Sequence, residues 1–482
     1  MSAAPEDLVR RNVRLAAVVG LAFGLAIPLS GATAPAVRAL VGGTLVDGTG
    51  ATPVKDAVVV IAGGRIACAG TRSACPVPKG AEALDVKGSW VTPGLVDAHV
   101  HLSQSGWADT HPDSLDLRDR YPYEKAEADL RAHPEPILRA FLCSGVTAVF
   151  DMGGYSWIWD LRPRTAANPD APRVAAVGPL LSAHEHWLNL PAERQFLAMT
   201  DEKTVRQDVR YLAANHADAI EVWLVPQRDH PPAEMAARLR AAADEARNLG
   251  LPLIADATAL GEAKEALRVG AKFLAHSVSD APVDAEFIAM ARKNGTIYCP
   301  TLTLFAGYGR LWEAIATGKP PVVDDPNGCV DATIRERVAE TSSLGTSRLG
   351  TQRPESVKAL LSRLQGVATA NLKAVVAAGI PVAMGSDAGN SLTLHGPAAY
   401  AEMEAMQATG MTPMQVLVAS TRTGALAMGA AGKEIGTVQA GKVADLLVVG
   451  ADPTADIAAM RKLKLVIRAG VVHHVSDLAA RR

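Results

Sequence analysis

The hydrophobic pattern changes period along the chain. After residue 39 come short apolar runs broken by glycine: RALVGGTLVDGTG, DAVVVIAGGRIACAG and EALDVKGSWVTPG. Gly-Gly and Asp-Gly pairs between β-branched runs predict hairpins in a small sheet. GTVQAGKVADLLVVGADP and KLKLVIRAGVVHHV, near the other end, have the same grain. The two ends therefore predict one composite β module, residues 40–91 with 433–482. From 92 to 432 short apolar runs alternate with Ala-rich stretches of helical period. Candidate strands lie at 95–102, 147–153, 173–182, 218–225, 252–258, 273–278, 296–304 and 381–387. The intervening stretch PPAEMAARLRAAADEARNLG repeats apolar residues at helical spacing and stops at Gly250. Eight such strands predict an α/β chain built on a (β/α)8 TIM barrel, with the β module as a sandwich beside it. The segment 306–380 is too long for one crossover and predicts extra helices or a lid. No fixed-period repeat supports a solenoid.

The first forty residues stand apart. Arg10, Arg11 and Arg14 precede an uncharged stretch from Leu15 to Leu29, and small residues follow to Ala39. As a helix, that stretch reaches roughly 22 Å, short of a hydrocarbon core of about 30 Å. Basic, apolar and small-residue regions in that order predict a secretory signal over 1–39, cut after Ala36 or Ala39. The chain is then periplasmic or secreted; an uncleaved anchor is the other reading. Arg14 interrupts the apolar positions that a twin-arginine signal needs after Arg10-Arg11. The five cysteines, Cys68, Cys75, Cys143, Cys299 and Cys329, show no metal-finger spacing. In an exported chain Cys68 and Cys75 could bridge a short loop, or both could be buried thiols. The odd count leaves one unpaired.

Composition removes whole classes of function. Apolar residues are 49% of 482 and charged residues 20%, which excludes disorder. A formal charge of −2 gives no pull toward nucleic acid. There is no GxGxxG and no GxxxxGK[ST], so no nucleotide cofactor is expected, and no GxSxG for a serine esterase. The expected partner is a small-molecule substrate. Pairing of copies through outer helices stays open.

The candidate chemistry sits at the ends of the predicted strands, where a barrel of this kind builds its site. His99 and His101 are two apart on the first strand and so share a face. Glu221 lies on the fourth strand, Asp256 on the fifth, His276 on the sixth and Asp387 at the end of the eighth. One HxH is a weak signal. Six metal-competent side chains on one rim are not, because ionisable groups are rarely buried without partners. They predict one or two divalent ions per chain, Zn²⁺ first.

The run TPGLVDAHVHL, His276 in LAHS, Asp387 in GSDAG, the helix ASTRTGALAMG and the closing GTVQAGKVADLLVVGADP together resemble the amidohydrolase superfamily. The pattern is most similar to its imidazolonepropionase-like branch, which includes Xaa-Pro dipeptidases. That resemblance implies a metal-activated hydroxide attacking a carbonyl carbon and cleaving an amide-type C–N bond in a dipeptide, N-acyl amino acid or carbamate. It implies Asp387 as general base, and His276 as ligand of a second ion or donor to the oxyanion. Two positions depart from the family pattern. Glu221 stands where a carboxylated lysine is usual, and Asp256 where a histidine is. Both keep an oxygen donor but reach less far. Three arrangements follow. Glu221 bridges two ions, one on His99, His101 and Asp387 and the other on Asp256 and His276. Alternatively a single ion sits on His99, His101 and Asp387, or metal is lost and the chain only binds. A metal-dependent esterase or lactonase is the competing enzyme class. For substrate contact the loops offer His184 and His186 after the third strand, His395 after the eighth, and Trp107 after the first. Trp157 and Trp159 could wall the pocket or pack beneath loops.

Overall fold

The computed structural model describes residues 37–183, 189–190, 193–224 and 232–480. Residues 1–36, which carry most of the expected signal, lie outside that range, as do His184 and His186.

Five strands open the described chain: β1 (Arg38–Leu45), β2 (Val54–Ala62), β3 (Arg65–Thr71), β4 (Glu82–Asp85) and β5 (Trp90–Pro93). Three close it: β15 (Leu446–Val449), β16 (Leu463–Arg468) and β17 (Val471–His474). They form one sheet in the order β17-β16-β15-β5-β1-β2-β3, with β4 parallel to β1. The antiparallel pair β5–β15 joins the two ends of the chain, as the shared β pattern predicts. Its core holds Leu40, Val59, Ile61, Val91, Leu446 and Ile467. Arg468, fully buried at the base of this sheet, donates to Asp445 and to the carbonyls of Ala171 and Thr165. A buried guanidinium needs such full pairing.

Between these ends the described residues form nine strands, paired in parallel. They are β6 (Leu95–Val100), β7 (Val146–Asp151), β8 (Arg173–Ala176), β9 (Leu180–Ser182), β10 (Phe196–Ala198), β11 (Ile220–Trp223), β12 (Leu253–Asp256), β13 (Phe273–Ala275) and β14 (Ile297–Cys299). β6-β7-β8 make one sheet and β10-β9-β11-β12-β13-β14 another. Helices alternate with them: α1 (Tyr123–Ala132), α2 (Glu135–Cys143), α3 (Leu161–Ala166), α4 (Glu202–Ala214), α5 (Pro232–Asn248), α6 (Leu260–Arg268) and α7 (Ala285–Asn294). After β14 come α8 (Thr303–Thr317), α9 (Ala332–Glu340) and α10 (Pro354–Ala377). No helix among the described residues is long and apolar enough to cross a membrane.

The two parallel sheets touch at both sides. The eighth expected strand, 381–387, is an extended segment with only isolated bridges, yet it bonds both neighbours. Toward β14, Tyr298 N donates to Pro381 O and Ala383 N to Tyr298 O; toward β6, Ala98 N donates to Met384 O and Asp387 N to His99 O. On the far side Asp218 N donates to Ala176 O, linking β8 to the approach of β11. Gly385 makes the close approach feasible, since a Cβ there would stand 2.4 Å from Cys299 Sγ and 2.6 Å from His99 Cβ.

Some expected strands are shorter than the pattern suggested. The run 173–182 splits into β8 and β9 because Gly178, at φ +76, turns the chain before Pro179. The run 296–304 stops at Cys299, and Thr303 already begins α8. The excess length of 306–380 is helical. α8, α9 and the turns after α9 pack on the loop that follows β6, around Trp107, Leu115, Leu311, Val338 and Leu349.

Two disulfides are present, Cys68–Cys75 and Cys143–Cys329, and Cys299 is a buried free thiol. The second bridge, across 186 positions, fastens the end of α2 to the excursion between α8 and α9. Spacing could not suggest it, because the proximity of those two cysteines arises only in the folded chain.

Candidate metal centre and its cavity

β6 carries His99, and His101 follows directly after its last residue, at the C-terminal end of the parallel strands, where the segment 381–387 delivers Asp387 and the turn after β13 delivers His276. Donor atoms of His99, His276 and Asp387 lie within 4.8 Å of one another, all three side chains buried. His101 Nε2 is 3.1 Å from Asp387 Oδ1 and 3.3 Å from His99 Nε2. His276 Nε2 meets Asp256 Oδ2 at 3.2 Å, and its Nδ1 is 2.6 Å from the Thr301 hydroxyl. His276 thus stands with His99 and Asp387, while Asp256 holds its ring from the other side.

The backbone is strained here. His276 and Asp387 have φ of 66° and 59°, and Thr301 has 44°. Left-handed conformations in side-chain-bearing residues cost about 1–3 kcal/mol each and gather at functional sites.

Burial and charge set the protonation of these groups. Burial pushes the Asp387 carboxyl up, but the rings of His99, His101 and His276 outweigh it and hold the group well below the usual range. Burial lowers the His99 imidazole. Burial also opposes charge on His276, yet Asp256 and Asp387 raise it to about 9. Glu221 is 1% exposed, its Oε2 has no hydrogen-bond partner, and burial together with Asp256, Asp151 and Asp387 pushes its carboxyl far up. An unpartnered buried carboxyl oxygen near three other carboxyls would be satisfied by a bound cation. The imidazole and carboxylate donors fit a divalent ion such as zinc.

Residues that the sequence pattern did not single out brace the cluster. Asp97 accepts from Ser386 N, Ser386 Oγ and His99 N, tying the strand of the HxH pair to the segment of Asp387. Asp151 accepts from Leu102 N and Gly153 N, and the Gly153 carbonyl receives His101 Nδ1 at 2.9 Å. Asn390 Nδ2 donates to Asp387 Oδ1. The one signal available in sequence was Asp97, two positions before the first histidine of LVDAHVHL.

The cluster opens into a cavity of about 330 Å³ whose wall includes His101, Asp256, His276 and Asp387. Two of the expected contact residues lie elsewhere. Trp107 is fully buried; its indole N–H donates to Thr341 Oγ1 at 2.8 Å, so it packs beneath the loops. His395 is buried against Phe141 with its Nε2 3.0 Å from the carbonyl oxygen of His101, and burial lowers its pKa to about 4. It supports the HxH strand and does not line the cavity. Trp157 and Trp159 belong to the core. The aromatic wall is instead Tyr123, Phe196, Trp223 and Tyr308.

Residues 90–472 match the model of the amidohydrolase family. The chain belongs to the amidohydrolase family. Within the family it is similar to the imidazolonepropionase of Caulobacter vibrioides strain NA1000 / CB15N, 37% identical over 153 residues, 27% of this chain and 38% of that one. The chain thus aligns with well under two thirds of that relative. A longer match, 29% identical over 329 residues, joins 64% of this amidohydrolase to 78% of the imidazolonepropionase of Acidiphilium cryptum strain JF-5. The solved structure of an Xaa-Pro dipeptidase with bound methionine shares the fold at a TM-score of 0.67 and 19% identity, covering 91% of this chain and 100% of that one.

Proposed function

We propose that this amidohydrolase is a metal-dependent hydrolase of an amide-type C–N bond. The observation that carries the reading is the convergence of His99, His276 and Asp387 donor atoms at the floor of the cavity. Family membership supports it. Residues 92–432 are read as the hydrolase module, a closed (β/α)8 barrel, with 40–91 and 433–482 as the composite β-sandwich.

His99, His276 and Asp387 would hold one divalent ion, zinc first, with His101 beside them. Such an ion activates water and polarises a carbonyl. The chain supplies the rest. Asp256 and Thr301 stand against the two ring nitrogens of His276 and set its orientation; the nitrogen that took the ion would give up its hydrogen bond, and the other would keep the ring in place. Asp387 takes the proton of the attacking water and passes it to the leaving nitrogen, its Oδ1 held in place by Asn390. Tyr123, Phe196 and Trp223 exclude bulk water from the outer cavity. Glu221, within the field of Asp256, Asp151 and Asp387, is not one of the three converging ligands.

Export is part of the same reading. Two disulfides support an oxidising compartment. Arg38 and Ala39 are already paired in β1, with Arg38 bonded to Glu82, so cleavage after Ala36 leaves the sheet whole.

Elemental analysis of chelator-free protein, followed by a panel of matched amides and esters, tests the proposal. About one ion per chain with amide turnover is expected. No ion after incubation with zinc, manganese or cobalt would end it.

A further inference from the structure

The metal cluster accounts for the floor of the cavity but not for its outer wall. Asp113, on the loop after β6, lines that wall with a side chain 37% exposed, whereas Asp387 at the floor is 2% exposed. The inner carboxylates face histidines at 3.1 to 3.3 Å. The ion-pair partner of Asp113 among the described residues is His111, at 3.7 Å, beyond hydrogen-bond distance. Its carboxyl nonetheless stays below the ordinary range: burial raises it, but His111 and backbone N–H groups outweigh this. Aromatic side chains line the same cavity. Phe196 and Trp223 lie 5.4 Å apart between ring centroids, tilted by 39°. Tyr308, half-buried, lies within reach of the charge of both Asp113 and Asp387. Among the described residues that line the cavity there is neither lysine nor arginine.

A carboxylate that shares a cavity with aromatic faces is an arrangement that recognises an organic cation. It repels a carboxylate brought to the same place. A cation held on the cluster at the floor would neutralise the inner acids but not Asp113, whose partner is His111. We propose that the outer half of the cavity is a recognition site for a protonated or quaternary amine, with Asp113 as its counter-charge and Phe196, Trp223 and Tyr308 as its walls. Resting on the hydrolase reading above, this narrows the substrates to amides or carbamates that carry positive charge away from the scissile bond. Dipeptides, whose free carboxylate would meet Asp113, are disfavoured.

The test separates charge from shape. The metal-loaded full chain is titrated calorimetrically with 2-(trimethylammonio)ethanol and with its neutral isostere 3,3-dimethylbutan-1-ol. The cation is expected to bind about tenfold more tightly or better. That ratio should collapse toward one in Asp113→Asn and persist in Asp113→Glu, and a ratio needs no constant absolute activity. Equal affinities, or a preference unchanged in Asp113→Asn, would overturn the proposal. Matched amides bearing trimethylammonioethyl, 3,3-dimethylbutyl or 2-carboxyethyl groups should follow that order in kcat/KM. If none is cleaved, the hydrolase reading falls, and the binding ratio still decides the cation site by itself.

Discussion

Asn390 Nδ2 donates to Asp387 Oδ1 at 2.8 Å, and the Tyr308 hydroxyl donates to Asn390 Oδ1 at 2.9 Å. Two hydrogen bonds therefore connect a residue of the cavity wall to the carboxylate at its floor. Partners of this kind orient metal ligands, and their loss costs about 10–100-fold in affinity or activity. Asn390→Ala should lower kcat and zinc affinity by that range, and Tyr308→Phe, which keeps the Asn390–Asp387 bond, by less. Zinc competition titration alongside kcat and KM checks this. Wild-type zinc affinity in Asn390→Ala would mean that the bond does not position Asp387.

Removal of metal should destabilise the protein. An ion present at a thousand times its Kd adds about 4 kcal/mol to folding stability. Thermal unfolding with and without a chelator should show a lower Tm when the metal is stripped, restored by added zinc. In His99→Ala the chelator should have little effect, because one of the three converging ligands is gone.

Glu221 offers a test with a pH sign. Its carboxyl is held far above the ordinary value of 4.5 by burial and by Asp256, Asp151 and Asp387. A group with a raised folded pKa binds its proton more tightly in the folded state. Its stabilising share is complete below 4.5 and is lost as pH rises toward the folded value. Metal-free Glu221→Gln should therefore unfold at a higher temperature than metal-free wild type at neutral pH, and the gap should close as pH falls through 4.5. A gap independent of pH would show that ionisation of Glu221 is not the cost.

The disulfides differ in the length of chain they close. Cys68 and Cys75 are 7 positions apart, Cys143 and Cys329 are 186. Loop-closure entropy gives about 2.5 kcal/mol for the short loop and about 5 kcal/mol for the long one. The double variant Cys143→Ser/Cys329→Ser should lose about twice the unfolding free energy lost by Cys68→Ser/Cys75→Ser, measured by denaturant titration. Equal losses would point to residual structure in the unfolded chain.

Trp107 should matter for stability and not for substrate choice. Trp107→Phe removes the bond to Thr341 Oγ1 and should cost about 1 kcal/mol, with the ranking of substrates unchanged. A changed ranking would place the indole in the binding site after all.

Much of this architecture was legible as local pattern. The β-rich ends and the alternation between them follow from periods of two and 3.6, which act over a few neighbours, and the polar residues near several strand ends are visible against that pattern. The expected helix after residue 231 is α5, and Gly250 behind it has φ +74. Strand lengths were less legible. Gly178-Pro179 and the early start of α8 override apolar runs that otherwise read as continuous.

The sequence by itself determined the family, the residue types of the metal cluster and the strands that present them. Only the tertiary structure decided which of them meet. It grouped His276 with His99 and Asp387, turned Asp256 onto His276, left Glu221 Oε2 without a hydrogen-bond partner, set His395 behind His101, and joined Cys143 to Cys329. Each of those relationships spans a long stretch of chain and depends on distances of a few ångströms. Local periodicity carries no information about such distances; packing of the whole molecule sets them.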